Sequence, residues 1–211
     1  MNEFTAFLKN RRKVNLAMAA INIVVFIVLE IIGDTSSAPF MLEHGASYAP
    51  LVLEGQYWRL FTSMFLHFGF EHLAYNMFSL IFLGDIVETV MGPVRYLIIY
   101  LGGGLCGNIV SVFLSMKTGK YAVAAGASGA IFACMGAFLY FALRNRRGFG
   151  RGNLQRLGMM VLLMIMQSLV DKGVDNAAHM GGLAAGFILA ALLWHPKKRQ
   201  IRRIDSVSSG Q

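Results

Sequence analysis

The chain has 211 residues, 56% of them hydrophobic and 14% charged, with a formal net charge of +8 and a mean hydropathy of +0.56. Ordinary soluble domains carry about 25% charged residues, so the composition excludes a disordered chain and argues against a water-soluble globule. Cys106 and Cys134, the two cysteines, sit in apolar runs; they offer neither a disulfide framework nor a thiolate zinc site and are expected to be small core residues.

In chain order, residues 1–13 form a short basic segment, followed by an apolar run over 14–32 that predicts a first membrane span. That run is longer than a signal-peptide core and lacks a small-residue cleavage site, so a retained span is expected. Residues 33–66, with Pro39, Pro50, Trp58 and Arg59, have the composition of a loop lying at the membrane interface. Further spans are predicted over 68–87, 96–114, 121–143, 157–170 and 176–194. The second is interrupted by His72 and Asn76; the fifth, about 14 residues, is short for a crossing. The glycine cluster of the third span, Gly102, Gly103, Gly104 and Gly107, is apolar in context and reads as close helix packing, not a phosphate loop. Residues 196–211 form a basic tail, polar after Arg203.

Charge sets the expected orientation. With six spans, 15 of the 19 Lys and Arg residues fall on one side: the amino terminus, Arg95, the loop Arg144 to Arg156, and the tail. Cytoplasmic retention of basic segments then puts both termini inside. Omitting the fifth span would throw the basic tail outside. The same basic residues read as orientation signals and lipid headgroup contacts, so no nucleic-acid partner is expected.

Polar side chains at membrane depth are costly, which makes each a functional candidate. His72 and Asn76, four apart, lie on one face of the second span. His67 and Glu71, nearer the external end, are expected to face water. Ser128 falls seven residues into the fourth predicted span, about 10 Å along a helix, and His179 falls four residues into the sixth. Asn22, Glu30, Asp85 and Glu88 read as boundary groups or single interhelical contacts.

Gly126, Ala127 and Gly129 remove bulk around Ser128, the stretch Lys117 to Ala125 before it reads as a loop entering the protein, and a helix start nearby would aim amides at developing negative charge. Ala178, Gly182 and Gly186 repeat at intervals of four, as do Ser128, Phe132 and Gly136, beside a small face of Gly129, Ala133 and Ala137. Such stripes let two helices approach closely, which would bring Ser128 within reach of His179 as a general base. Tight packing without chemistry fits the same spacing. The histidine spacing and the shortage of intramembrane carboxylates argue against a metal site.

Together these residues resemble the rhomboid family of intramembrane serine proteases: Gly126-Ala127-Ser128-Gly129, then His67, His72 and Asn76, then Ala178-His179-Met180-Gly181-Gly182 with Gly186. Trp58-Arg59 matches that family's tryptophan-arginine pair, and Gly84, Glu88 and Gly92 its second-span ending. The resemblance implies an all-α polytopic membrane protein, a six-transmembrane-helix bundle over 14–195. It implies a Ser128–His179 dyad with no carboxylate member, in keeping with Glu71 and Asp175, external-end residues without an evident route to orient His179, and an oxyanion hole formed by the Ser128 amide, His72 and Asn76. Gly126, Gly129, Phe132, Trp58 and Arg59 take supporting roles, with Phe132 where the family often has tyrosine. The reaction expected is hydrolysis of peptide bonds in or near transmembrane helices of other, often single-pass, membrane proteins. No metal or other cofactor is expected. The expected location is the bacterial plasma membrane, with the site opening to the external side. A non-proteolytic helix-binding chaperone and a small transporter are the alternatives.

Overall fold

A computed structural model describes residues 12–144, 158, 162 and 175–194. Among them the architecture is an all-α membrane helical bundle, without a β-strand beyond one isolated bridge. Helix α1 spans Lys13–Ile32, α2 Ala38–Glu43, α3 Ala49–Leu53 and α4 Arg59–Thr62; a 3₁₀ turn covers Ser63–Phe65 and α5 spans Gly69–Met91. Helix α6, Pro93–Leu97, runs through a π segment, Ile98–Gly102, into α7, Gly103–Thr118; α8 spans Ser128–Arg144 and α9 Asn176–Leu193. Among the described residues four stretches are long and apolar enough to cross a membrane: Lys13–Ile32, Gly69–Met91, Pro93–Thr118 and Asn176–Leu193. Apart from Gly158 and Leu162 the fifth predicted span lies outside the described residues, as do most of the basic loop before it, residues 1–11 and the basic tail.

The core explains the order of burial. Leu80, Leu83 and Val87 of α5, Ile99 and Tyr100 of the π segment, and Ala130, Ile131, Cys134 and Phe141 of α8 are all buried. Helix α8 is central, with most of its residues buried, whereas α1 exposes Ile21, Val24, Ile27, Val28 and Ile31 along one side. A membrane helix exposes such apolar surface because its solvent is hydrocarbon. Cys134 is buried, but Cys106 is exposed, contrary to the core placement expected for both. An apolar run in a membrane chain has a lipid-facing side, so hydropathy alone does not separate core from lipid contact.

At its amino-terminal end, α1 has no side-chain cap of its own. Glu88 of α5, itself buried, supplies one: its carboxylate accepts the Asn15 N–H at 2.7 Å and the Val14 N–H at 3.4 Å. A negative charge placed on unsatisfied first-turn amides complements the helix dipole. Glu88 therefore joins the first and second spans. Beside it, Asp85 accepts the Arg12 N–H at 2.9 Å, and Asn15 Oδ1 accepts the Tyr96 hydroxyl at 2.8 Å.

The segment 33–66 is built, not slack. Arg59 donates to the carbonyls of Leu42 at 2.6 Å and Ala46 at 3.0 Å and to the Gln56 side chain at 2.7 Å, while its guanidinium lies 4.6 Å from the Trp58 ring centre. One buried cation thereby ties α2 and the turns on either side of α3 to α4.

Candidate active site

The fourth predicted span starts later than hydropathy suggests. Residues 121–127 are not helical; Ser47 and Ala124 exchange two backbone hydrogen bonds at 2.8 Å, and α8 begins at Ser128 itself. The cause lies in Gly126, whose φ of +138° is foreign to a helix and to side-chain-bearing residues. A Cβ there would also meet the His72 ring, 2.9 Å from Cε1 and Nε2. Ser128 is thus the head of a helix and not a residue two turns inside one. With 17 residues, α8 extends about 26 Å, less than the ~30 Å hydrocarbon thickness, while Pro93–Thr118 is longer. Between the two helices the chain runs as a non-helical segment paired with Ser47 before α8 begins.

Three consecutive amides at this junction differ in their partners. The Gly126 N–H donates to Ser63 O at 2.9 Å, and the Ala127 N–H to His67 Nε2 at 3.4 Å. The Ser128 N–H heads the first helical turn, where no intrahelical carbonyl can reach it. His67 was expected to face water, yet it is 1% exposed. Burial, followed by the neighbouring His72, lowers its pKa from 6.5 to about 3. A neutral His67 keeps the lone pair that accepts from Ala127.

The small-residue stripes meet as their spacing predicts. A Cβ on Gly182 would strike the Gly129 carbonyl, one on Gly186 the Ala133 carbonyl, and one on Gly136 the Leu183 carbonyl. Helices α8 and α9 therefore pack backbone to backbone. On the third span, Gly103 abuts Ala133 and Gly107 abuts the Ala178 and Gly182 backbone, so that glycine cluster is helix packing.

This approach puts His179 Nε2 2.7 Å from Ser128 Oγ. The Phe132 ring stacks on the imidazole, with centroids 4.1 Å apart and planes 10° from parallel. His72 Nδ1 accepts the Phe68 N–H at 3.3 Å, so the neutral ring carries its proton on Nε2, the atom beside Gly126. Asn76 Nδ2 donates to His72 O at 2.9 Å, and an amide nitrogen has a second hydrogen to give. Ser128, His179, His72, Asn76, Gly126 and Phe132 line one cavity of about 900 Å³. Trp58 and Arg59 stand away from it, in the interfacial segment.

Sequence reasoning did not single out Ser63, which anchors Gly126, or Ser111; Asp175, read from sequence as having no evident route to orient His179, accepts the Ser111 hydroxyl at 2.5 Å at the cavity wall. Each contact joins residues more than sixty positions apart, so local spacing carries no sign of it.

A Rhomboid domain model matches residues 54–196. The chain is 40% identical over 182 residues to Rhomboid protease GluP of Bacillus subtilis, covering 84% of this chain and 34% of that one. It is 32% identical over 149 residues to Putative rhomboid protease YdcA of the same organism, 71% of this chain and 73% of that one. With RHOMBOID-like protein 5 of Arabidopsis thaliana it shares 36% identity over 161 residues, 74% of this chain and 50% of the relative. The chain thus spans about a third of the length of GluP and half that of the plant relative. A domain match over two-thirds of the sequence, carried on a helical bundle of apolar spans, identifies the chain as a member of the rhomboid family.

Proposed function

We propose that this protein is an intramembrane serine endopeptidase, cleaving a peptide bond in or near a transmembrane helix of another membrane protein. The observation that carries this reading is the 2.7 Å contact between His179 Nε2 and Ser128 Oγ inside a cavity walled by apolar spans. Relatives that bear the name rhomboid protease add support.

In the proposed reaction Ser128 Oγ attacks the scissile carbonyl while its proton passes to His179 Nε2. The tetrahedral oxyanion is held by the Ser128 N–H, the His72 Nε2–H and the second Asn76 amide hydrogen. His179 then gives its proton to the leaving amine, and the acyl-enzyme is hydrolysed by water through the same two groups. Stacking on Phe132 holds the imidazole plane without a hydroxyl. An intact substrate helix hides its carbonyls in hydrogen bonds, so glycine or proline near the cleaved bond should help expose one. The preferred setting is the bacterial plasma membrane, with both termini cytoplasmic and the cavity facing the external side.

The test uses protein reconstituted in liposomes with a single-pass model substrate. Wild type should cleave it, whereas Ser128→Ala and His179→Ala should leave it intact. Cleavage by Ser128→Ala at the wild-type rate would refute the assignment, and substrate capture without hydrolysis by wild type would favour a helix-binding protein.

A further inference from the structure

His179 lies only one turn from the start of α9, outward of the Gly182 and Gly186 contacts that press this helix against α8. Its own N–H makes the opening helical hydrogen bond, to Asp175 O at 3.1 Å. The Asp175 carboxylate works on both sides of that bond. Oδ1 accepts the Ala178 N–H at 2.9 Å, and Oδ2 accepts the hydroxyl of Ser111, on α7, at 2.5 Å. Both oxygens are thus engaged, one closing the first turn of α9 and the other tying that turn to a neighbouring span.

We propose that Asp175 is a positioning residue for the reaction: through Ala178 and Ser111 it holds the first turn of α9 in place, and so holds the His179 imidazole against Ser128. The inference rests on the dyad reading above. An uncapped first turn exposes amides that no helical carbonyl satisfies, and it frays first. Fraying at this helix end moves the base itself, because only one turn separates the cap from the imidazole. Misplacement of reacting groups by about 1 Å can cost about 100-fold in rate.

The full chain in detergent supplies three readouts: kcat and KM on a model substrate, the rate constant for fluorophosphonate labelling per active site, and thermal midpoint. Asp175→Ala should lower kcat and the labelling rate constant together by about 10- to 100-fold, with KM within about twofold. Asp175→Asn can still accept from Ala178 and engage Ser111, and should recover most of that loss. Ser111→Ala should cost about three- to tenfold and add little on top of Asp175→Ala, as coupled partners do. A merely structural residue would lower the midpoint and the yield of labelled enzyme while leaving per-site rates at wild-type values, and that result would overturn the proposal. So would Asp175→Asn as slow as Asp175→Ala. If Asp175→Ala does not accumulate folded, wild-type rates in Ser111→Ala overturn the tie to α7. Failure of the dyad reading is distinct, since wild type would then label somewhere other than Ser128.

Discussion

Neutral His67 is a buried acceptor beside the residue that precedes the candidate nucleophile. Its pKa is about 3 in the fold against 6.5 for a free side chain. The unfolded chain therefore takes up a proton below 6.5 that the folded chain refuses, and stability must fall as pH drops from 6.5 toward 3. The thermal midpoint in detergent should decline between about pH 7 and about pH 5, and His67→Gln, which keeps an acceptor without a titrating ring, should decline less. Equal slopes would remove His67 as the cause. The proposed oxyanion donors predict a different signature: His72→Ala and Asn76→Ala should each lower kcat by about 10²- to 10³-fold while Ser128 still reacts with a fluorophosphonate. Wild-type turnover in both variants would contradict their role. His72 and Asn76 were legible from their spacing of four on one helical face. His67 was legible as a motif residue but not as a buried one, because its cover comes from segments distant in sequence.

At the level of elements, the contact between α8 and α9 controls whether serine and histidine can meet. Because Gly186 faces the Ala133 carbonyl, a backbone atom that cannot rotate away, Gly186→Leu should force the helices apart. Overpacking of this kind costs about 1–3 kcal/mol or more, so the variant should melt earlier and lose Ser128 labelling. Unchanged labelling would mean that this contact does not set the dyad. The small-residue stripes announced the packing in advance, since spacing by four is a local property of sequence. The start of α8 was legible in two conflicting ways: hydropathy carries the span back to residue 121, while Lys117 to Ala125 reads as a loop, and the loop prevails through pairing with Ser47 and the positive φ of Gly126. Long-range pairing of that kind leaves no periodicity behind. Glu88 illustrates the same point, a single carboxylate in the sequence that in the fold caps another helix.

For the molecule as a whole, hydropathy was enough to read a helical membrane bundle, and the order of motifs was enough to read the family. The basic segments add an expectation about direction: reporters fused to either terminus should be protected from external reagents, and a cysteine placed at Lys120 should react with an impermeant thiol reagent in intact cells. The opposite pattern would invert the proposed topology. The short α8, the extended segment before it and the cavity combine to hold a hydroxyl and an imidazole side by side at the head of one helix, where the proposed reaction needs them. The most direct test of that account is to label the purified wild-type protein with a fluorophosphonate and map the modified residue by peptide mass spectrometry, alongside His179→Ala. The account predicts one modified residue, Ser128, and loss of the modification when the imidazole is removed. A label elsewhere, or equal labelling of Ser128 without His179, would contradict it.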